Sequence, residues 1–376
     1  MADFGGAEIR GRSAFRTGCK VISLGLLALV ATVAVVSQSI ETVGAASQGN
    51  SKIDVLPGLA AVQSAIVSAE RAETLNQNLV SQLGSESNSR FVDSCASEPG
   101  QSNDSAAAVA CNYGDPSAPA AVVLYGDSYI EQWLPTFDAL GKQDHFKVVA
   151  YVRYGCPFAA VTERDYLGSV DPGCATFRKN VITAINAMAP PPSLTLLSEA
   201  QFKIELGADG STMSFKSWAS GVRSTLEQLH VSPVGVLFGT PIATNTPSTC
   251  LSARLTHIQV CATPTSEAYS IASDKDDEAA VVASHDEVVN LSSLFCAARC
   301  PDVVSDQLVF ADDDHVDRSY ALQLGTAFGS LIGCIGTEVL PAENPPGGVL
   351  QSLLGGMPTP PIAAACRAAT SAPYNL

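Results

Sequence analysis

Ala120-Ala121-Val122-Val123-Leu124-Tyr125-Gly126-Asp127-Ser128-Tyr129 is the stretch on which the fold turns. Its first six residues are apolar and partly β-branched. Such a run, Ala120–Tyr125, reads as a strand buried on both faces. Gly126 permits a tight turn, and Ile130–Leu140 beyond it reads as a helix. The same alternation continues outward. Phe146–Tyr151 reads as a second strand and Ala175–Met188 as a second helix. Leu194–Leu197 follows as a third strand, Phe215–Leu229 as an amphipathic helix, and Val234–Phe238 as a fourth strand. Val288–Leu291 is a short fifth strand and Asp317–Ile332 a last helix. Apolar strands alternating with helices predict an α/β domain, a parallel sheet covered by helices on both faces. Reacting groups in such folds collect in the loops beyond the carboxyl ends of the strands. Ser128 falls there.

Composition narrows the function. Of 376 residues, 46% are hydrophobic and 15% charged, enough apolar surface to exclude a disordered chain. The formal net charge of −16 would repel a phosphate backbone, so nucleic acid is excluded as a partner. No Walker A run or Gly-rich dinucleotide fingerprint follows a strand, so no cofactor is expected.

Upstream, Arg10, Arg12, Arg16 and Lys20 precede Val21–Ile40, twenty residues without a charge. A basic flank before an apolar run of that length predicts a signal peptide or a single membrane anchor within residues 1–46. The protein is then either anchored by residues 21–40 or secreted after cleavage near Ala46, and the chain beyond Ala46 is extracytoplasmic. Residues 47–115 read as a stalk, with a helix over Leu59–Leu83 ended by Gly84 and then a disulfide loop. Residues 116–333 form the catalytic domain, and 334–376 a Pro- and Gly-rich tail. Ten cysteines lie beyond residue 46, as disulfide pairing in an oxidising compartment requires. The shortest loops pair Cys95 with Cys111, Cys156 with Cys174, Cys250 with Cys261, Cys296 with Cys300, and Cys334 with Cys366. There is no C-x-x-C couple, which speaks against zinc, and no metal is expected.

A serine nucleophile requires a base, and the base requires an orienting group. Ser128 sits close to a helix N-terminus, where developing negative charge is stabilised. The sequence does not complete a G-x-S-x-G elbow, because Ile130 stands where the second glycine would be. On its own, Asp127 or Ser128 also suits a helix cap. Of five histidines, His145 lies in a polar turn, His230 ends a helix, His257 lies inside the Cys250–Cys261 loop and His285 lies in a charged stretch, so these four read as surface or structural residues. His315 follows the strand-like Gln307–Phe310 and lies in Asp312-Asp313-Asp314-His315. A single turn there aims Asp312 at the imidazole. The competing reading is a solvated acidic turn or a calcium loop, but the run lacks EF-hand ligand spacing and its glycine.

Gly126-Asp127-Ser128 near the start of the domain and Asp312-x-x-His315 near its end resemble the SGNH/GDSL hydrolase superfamily. The likeness extends to SGNH domains found fused to or beside membrane acyltransferases that O-acetylate polysaccharides. Cys111-Asn112-Tyr113-Gly114-Asp115, Leu124 to Pro135, Gly155-Cys156-Pro157, the Cys250 and Cys261 couple, and Cys296 to Pro301 carry it in the family's order. The resemblance implies a flavodoxin-like parallel sheet. It also implies that Ser128 is the nucleophile, His315 the base and acid, and Asp312 its orienting carboxylate. Gly155 would donate a backbone N–H to the oxyanion, beside that of Ser128. Two departures stand out. Thr195-Leu196-Leu197-Ser198-Glu199 has no Asn to supply a third oxyanion donor, leaving Ser198 or a smaller donor set, and Tyr129 stands where a His or small polar residue is usual. Gln132 and Trp133, one turn beyond Ser128, are candidates to touch a sugar, although a Trp at that helical spacing also suits the core.

The leading expectation is acyl transfer through an acyl-Ser128 intermediate to a cell-envelope glycan. A separate membrane protein would supply the acyl group, because these residues hold only one membrane-length apolar segment. A secreted carbohydrate or lipid esterase would use the same residues with water as acceptor. A catalytically inactive glycan-binding module is a third possibility, which the absent Asn keeps open.

Overall fold

The computed structural model describes residues 56–83, 91, 94–97, 105–162, 170–200, 213–269, 271–333 and 335. The basic flank, the apolar segment at 21–40, and Cys334 and Cys366 lie outside them. Six strands form one sheet: β1 (Cys111–Gly114), β2 (Ala121–Gly126), β3 (Lys147–Val152), β4 (Leu194–Ser198), β5 (Val234–Phe238) and β6 (Glu287–Asn290). Their spatial order is β1-β3-β2-β4-β5-β6. The five from β2 to β6 pair in parallel, as their apolar sequences require, and β1 is antiparallel to β3. Omitting β1, this is the doubly wound flavodoxin-like order. Chain order reverses beside β2, which puts the crevice of the fold at its carboxyl end.

Successive side chains of a strand point to opposite faces, and β2 divides its apolar set accordingly. Val122 and Leu124 join one buried cluster, with Val62 and Ile66 of α1 (Leu59–Ala69). Val123 and Tyr125 join the other, with Phe177 and Val181 of α4 (Pro172–Asn186) and Val222 of α5 (Phe215–Leu226). Between α1 and α4 in the chain come α2 (Ser128–Glu131) and α3 (Leu134–Asp144). After α5 come α6 (Ile271–Ala283), α7 (Arg318–Gln323) and α8 (Gly325–Ile332).

Four departures from the sequence expectations have identifiable causes, some local and some long-range. The helix expected over Ile130–Leu140 is two, α2 and α3. Pro135 lies in the first turn of α3, and a proline placed deeper in a helix would lose a hydrogen bond and clash with the preceding turn. The helix expected over Asp317–Ile332 is also two, meeting at Leu324 beside Gly325. The helix expected over Leu59–Leu83 stops at Ala69. Beyond it, Leu75 and Leu79 turn into a small cluster with Leu251 and Ile258, around the Cys250–Cys261 disulfide. The amide of Leu75 bonds the carbonyl of Leu255, and that of Ile258 the carbonyl of Glu73. These long-range contacts outweigh helix continuation. Finally, α1 and β1 fall in the segment expected to be a stalk, yet both pack on the sheet domain. A short edge strand with an exposed Asn112 carries almost no hydrophobic pattern to announce it.

The disulfides Cys95–Cys111, Cys156–Cys174, Cys250–Cys261 and Cys296–Cys300 are formed, as the spacing predicts. Among the described residues, no helix is long and apolar enough to cross a membrane.

Candidate active site

The site begins where β2 ends. Gly126 faces Ser198 of β4, and a Cβ at Gly126 would lie 1.9 Å from the Ser198 carbonyl oxygen. No other residue fits that approach, so the strand turns there into α2. Asp127 caps the helix. One of its carboxyl oxygens accepts from the Tyr129 amide at 2.8 Å and the other from the Ala200 amide at 3.0 Å. Asp127 thus braces the turn and joins the ends of β2 and β4. Ser128 is the first residue of α2 and is 8% exposed.

The histidine arrives from the far end of the domain on a tight hairpin. Phe310 and Val316 form an antiparallel bridge, and the Ala311 amide donates to the His315 carbonyl at 2.8 Å. Inside that turn one Asp312 oxygen accepts from the amides of Asp314 (3.0 Å) and His315 (2.7 Å). Both Asp312 oxygens lie 2.9 Å from His315 Nδ1. His315 Nε2 lies 2.8 Å from Ser128 Oγ across 187 residues of sequence. The arrangement fits Nδ1 as donor to Asp312 and Nε2 as acceptor from the serine hydroxyl. Burial raises the Asp312 pKa, but the hydrogen bond and charge of His315, with the Asp314 amide, outweigh it and hold the carboxyl well below its ordinary range.

The sequence expectation included Ser128, Asp312 and His315, and the fold brings these together. The remaining four histidines are exposed. Gly155, also expected, follows β3 at the same sheet edge, with φ of +63°. Its N–H and that of Ser128 bond no group among the described residues. Ser198 is buried opposite Gly126.

Gln132 and Trp133, the candidates to touch a sugar, are both buried. Gln132 is 2% exposed, its oxygen accepting from the Val316 amide at 2.9 Å and its nitrogen donating to the Tyr129 carbonyl at 3.1 Å. Both ends of its amide are engaged, and they tie the histidine hairpin to α2. Trp133 is wholly buried, with Phe328 and Phe295 at ring distances of 4.4 and 6.1 Å. It packs in the core with these rings.

Three neighbours were not anticipated. Asp314 Oδ1 lies 2.8 Å from His315 Nδ1, a second carboxylate beside the same nitrogen. The acidic run contained it but did not say which member would face the ring. Tyr129 packs its ring 5.7 Å from that of His315. Its hydroxyl is pushed well above its ordinary pKa by burial and then by Asp314, Asp127 and Asp312, so it stays neutral. Glu199 accepts from the Ala159 amide (2.8 Å) and Trp218 Nε1 (2.7 Å). Burial raises its pKa far above the usual carboxyl range, against the pull of the Ala159 amide and with the help of Asp277 and Asp127.

Asp312, Asp314 and His315 place donor atoms within 4.8 Å of one another, close enough to share a cation. A cation on Nδ1 would require the proton to sit on Nε2. That tautomer cannot accept a proton from Ser128, so metal binding there and general-base action are mutually exclusive.

Residues 94–330 match the family model described as the SGNH domain fused to AT3 domains. The chain belongs to this SGNH family. At the family level this makes it an acyl-processing hydrolase or transferase. Among solved structures, the chain is similar to the periplasmic domain of a Salmonella serovar Paratyphi A lipopolysaccharide acetyltransferase. The identity is 15% over 56% of this chain and 83% of the other, with a TM-score of 0.46. It is also similar to a candidate acylhydrolase of Bacteroides fragilis, at 13% identity over 57% of this chain and 87% of the other, with a TM-score of 0.32. The assignment rests on the family match. No curated protein matches the sequence.

Proposed function

We propose that this SGNH protein is an extracytoplasmic O-acyltransferase that carries an acyl group, such as acetyl, on Ser128 and passes it to a cell-envelope glycan. The observation that carries this is the continuous line from Asp312 through His315 to Ser128 Oγ. His315 Nε2 takes the hydroxyl proton as Ser128 Oγ forms a bond to the donor's acyl carbonyl carbon. The carbonyl oxygen becomes an oxyanion, received by the Ser128 and Gly155 amides. Collapse expels the donor's leaving group, which takes the proton from His315. A glycan hydroxyl, deprotonated by His315, then repeats the sequence and releases the acylated sugar and free serine. Asp312 holds the imidazole in the tautomer both steps need.

Four disulfides support an oxidising compartment. The family's association with AT3 domains supports a membrane protein as the acyl donor. A fluorophosphonate probe tests the nucleophile: labelling of the wild type, lost in Ser128→Ala and His315→Ala, is the expected result. A chromogenic acetyl ester, with and without an oligosaccharide, tests the acceptor. Acetylated oligosaccharide supports the transferase; acetate release unaffected by oligosaccharide would make the protein an esterase.

A further inference from the structure

A wholly buried carboxyl group needs a reason, because taking it out of water is costly unless a partner compensates. Glu131 is such a group, on the last turn of α2, three residues after Ser128. It takes no part in the line from Asp312 to Ser128. Its Oε1 accepts a hydrogen bond from the hydroxyl of Tyr154. Tyr154 immediately precedes Gly155.

We propose that Glu131 and Tyr154 are positioning residues that set the separation of the two oxyanion donors, the N–H groups of Ser128 and Gly155. This rests on the acyl-transfer function proposed above. One donor belongs to α2, which carries Glu131. The other belongs to the turn that carries Tyr154. The hydrogen bond therefore joins the two supports of one functional element through a pair of side chains.

The turn itself needs such a support. Gly155 is exposed, has a φ of +63°, and no atom outside its two chain neighbours lies within 4 Å of where its Cβ would be. Packing therefore does not hold it. Its neighbours are held instead. Upstream, the Arg153 amide bonds the Gly126 carbonyl at 3.2 Å, and the Tyr154 amide bonds the Ser97 carbonyl at 2.9 Å. Downstream, the Cys156 amide bonds the Arg153 carbonyl at 3.1 Å, and Cys156 is tied to Cys174. Those bonds fix the turn to the sheet and to α4. The Glu131–Tyr154 bond fixes it to the helix that bears the nucleophile. Oxyanion donors act only when both point at the place where charge develops. Loosening one relative to the other weakens transition-state binding while leaving the ground-state ester nearly untouched.

The test compares wild type with Tyr154→Phe, Glu131→Gln, Glu131→Leu and Tyr154→Phe/Glu131→Leu, using a chromogenic acetyl ester, with thermal unfolding of each. Tyr154→Phe is expected to lower kcat about 10- to 100-fold with KM within about twofold. Glu131→Gln keeps an acceptor for the Tyr154 hydroxyl and should recover most of the rate that Glu131→Leu loses. The double variant should be no slower than the worse single one, because both remove the same bond. A kcat for Tyr154→Phe within about twofold of wild type would overturn the proposal, as would a loss expressed in KM. So would multiplicative losses in the double variant. Fluorophosphonate labelling of the wild type separates the two levels. A labelled wild type with unchanged Tyr154→Phe kinetics overturns only the positioning role, and a wild type that is neither labelled nor active overturns the acyl-transfer function and this inference together.

Discussion

Replacing Asp127 with alanine is the most direct probe of how the nucleophile is held. The side chain is buried, and its two oxygens receive the amides of Tyr129 and Ala200. Alanine leaves both amides buried without those acceptors. Each unsatisfied group costs about 1–3 kcal/mol. Together they should destabilise the fold by about 2–6 kcal/mol, toward the lower end if water enters the space left behind. The catalytic effect should exceed the stability effect. Ser128 begins the helix that Asp127 caps, and a displacement of about 1 Å at a reacting group can cost about 100-fold in rate. Asp127→Asn supplies the internal control. Its carbonyl can serve one amide, while its NH2 must face the other, so it should lie between wild type and alanine in both properties. Denaturant unfolding gives the stability, and initial rates with a chromogenic acetyl ester give kcat. The reasoning fails if alanine unfolds within about 1 kcal/mol of wild type with an unchanged kcat, since that is ordinary surface behaviour. It fails equally if asparagine is as damaging as alanine.

A lone carboxylate orienting a catalytic histidine is worth about 10⁴ in kcat, but with Asp314 beside the same nitrogen Asp312→Asn should lose only about 10²–10³. Asp312→Asn/Asp314→Asn should restore the full loss in the same ester assay. Asp312 is depressed in the fold, so the stability it contributes is present above its unfolded pKa of about 4 and lost as pH falls through the lower folded value. The Tm gap between wild type and Asp312→Asn should therefore close in strong acid. Asp277 behaves oppositely: burial, with Asp274, Asp276 and Glu278 adding to it, raises its pKa to about 8, and neither oxygen has a hydrogen-bond partner among the described residues. The folded state thus keeps a proton that the unfolded chain releases, so wild-type stability falls as pH rises from the ordinary carboxyl range to about 8. Asp277→Asn should have the higher Tm at pH 8, with the advantage shrinking in mild acid. Removing the Cys156–Cys174 bridge by double serine replacement should cost about 3 kcal/mol in denaturant unfolding.

Much of this architecture is legible in the chain because the relevant physics is local. The parallel strands follow from uninterrupted apolar runs such as Val122–Tyr125, which only a sheet covered on both faces can bury. Asp312 and His315 were recognisable as partners because three residues suffice for one turn to join them. Elements whose limits are set by distant contacts were not legible. Helix α1 ends where Leu75 is drawn toward Leu251, and β1 exists because β3 offers it an edge.

The chain by itself determined the kinds of group available: a serine after a buried strand, a histidine with an adjacent carboxylate, and cysteines spaced for short bridges. Tertiary structure alone decided which of them meet. Ser128 and His315 are 187 residues apart, and their 2.8 Å contact depends on a hairpin clamped to α2 through Gln132. Tertiary structure also turned Trp133 into the core and Glu131 toward Tyr154. Local sequence sets the secondary structure to which a side chain belongs. Where that side chain ends is set by packing and hydrogen bonds between segments far apart along the chain, and those form only once the sheet is assembled.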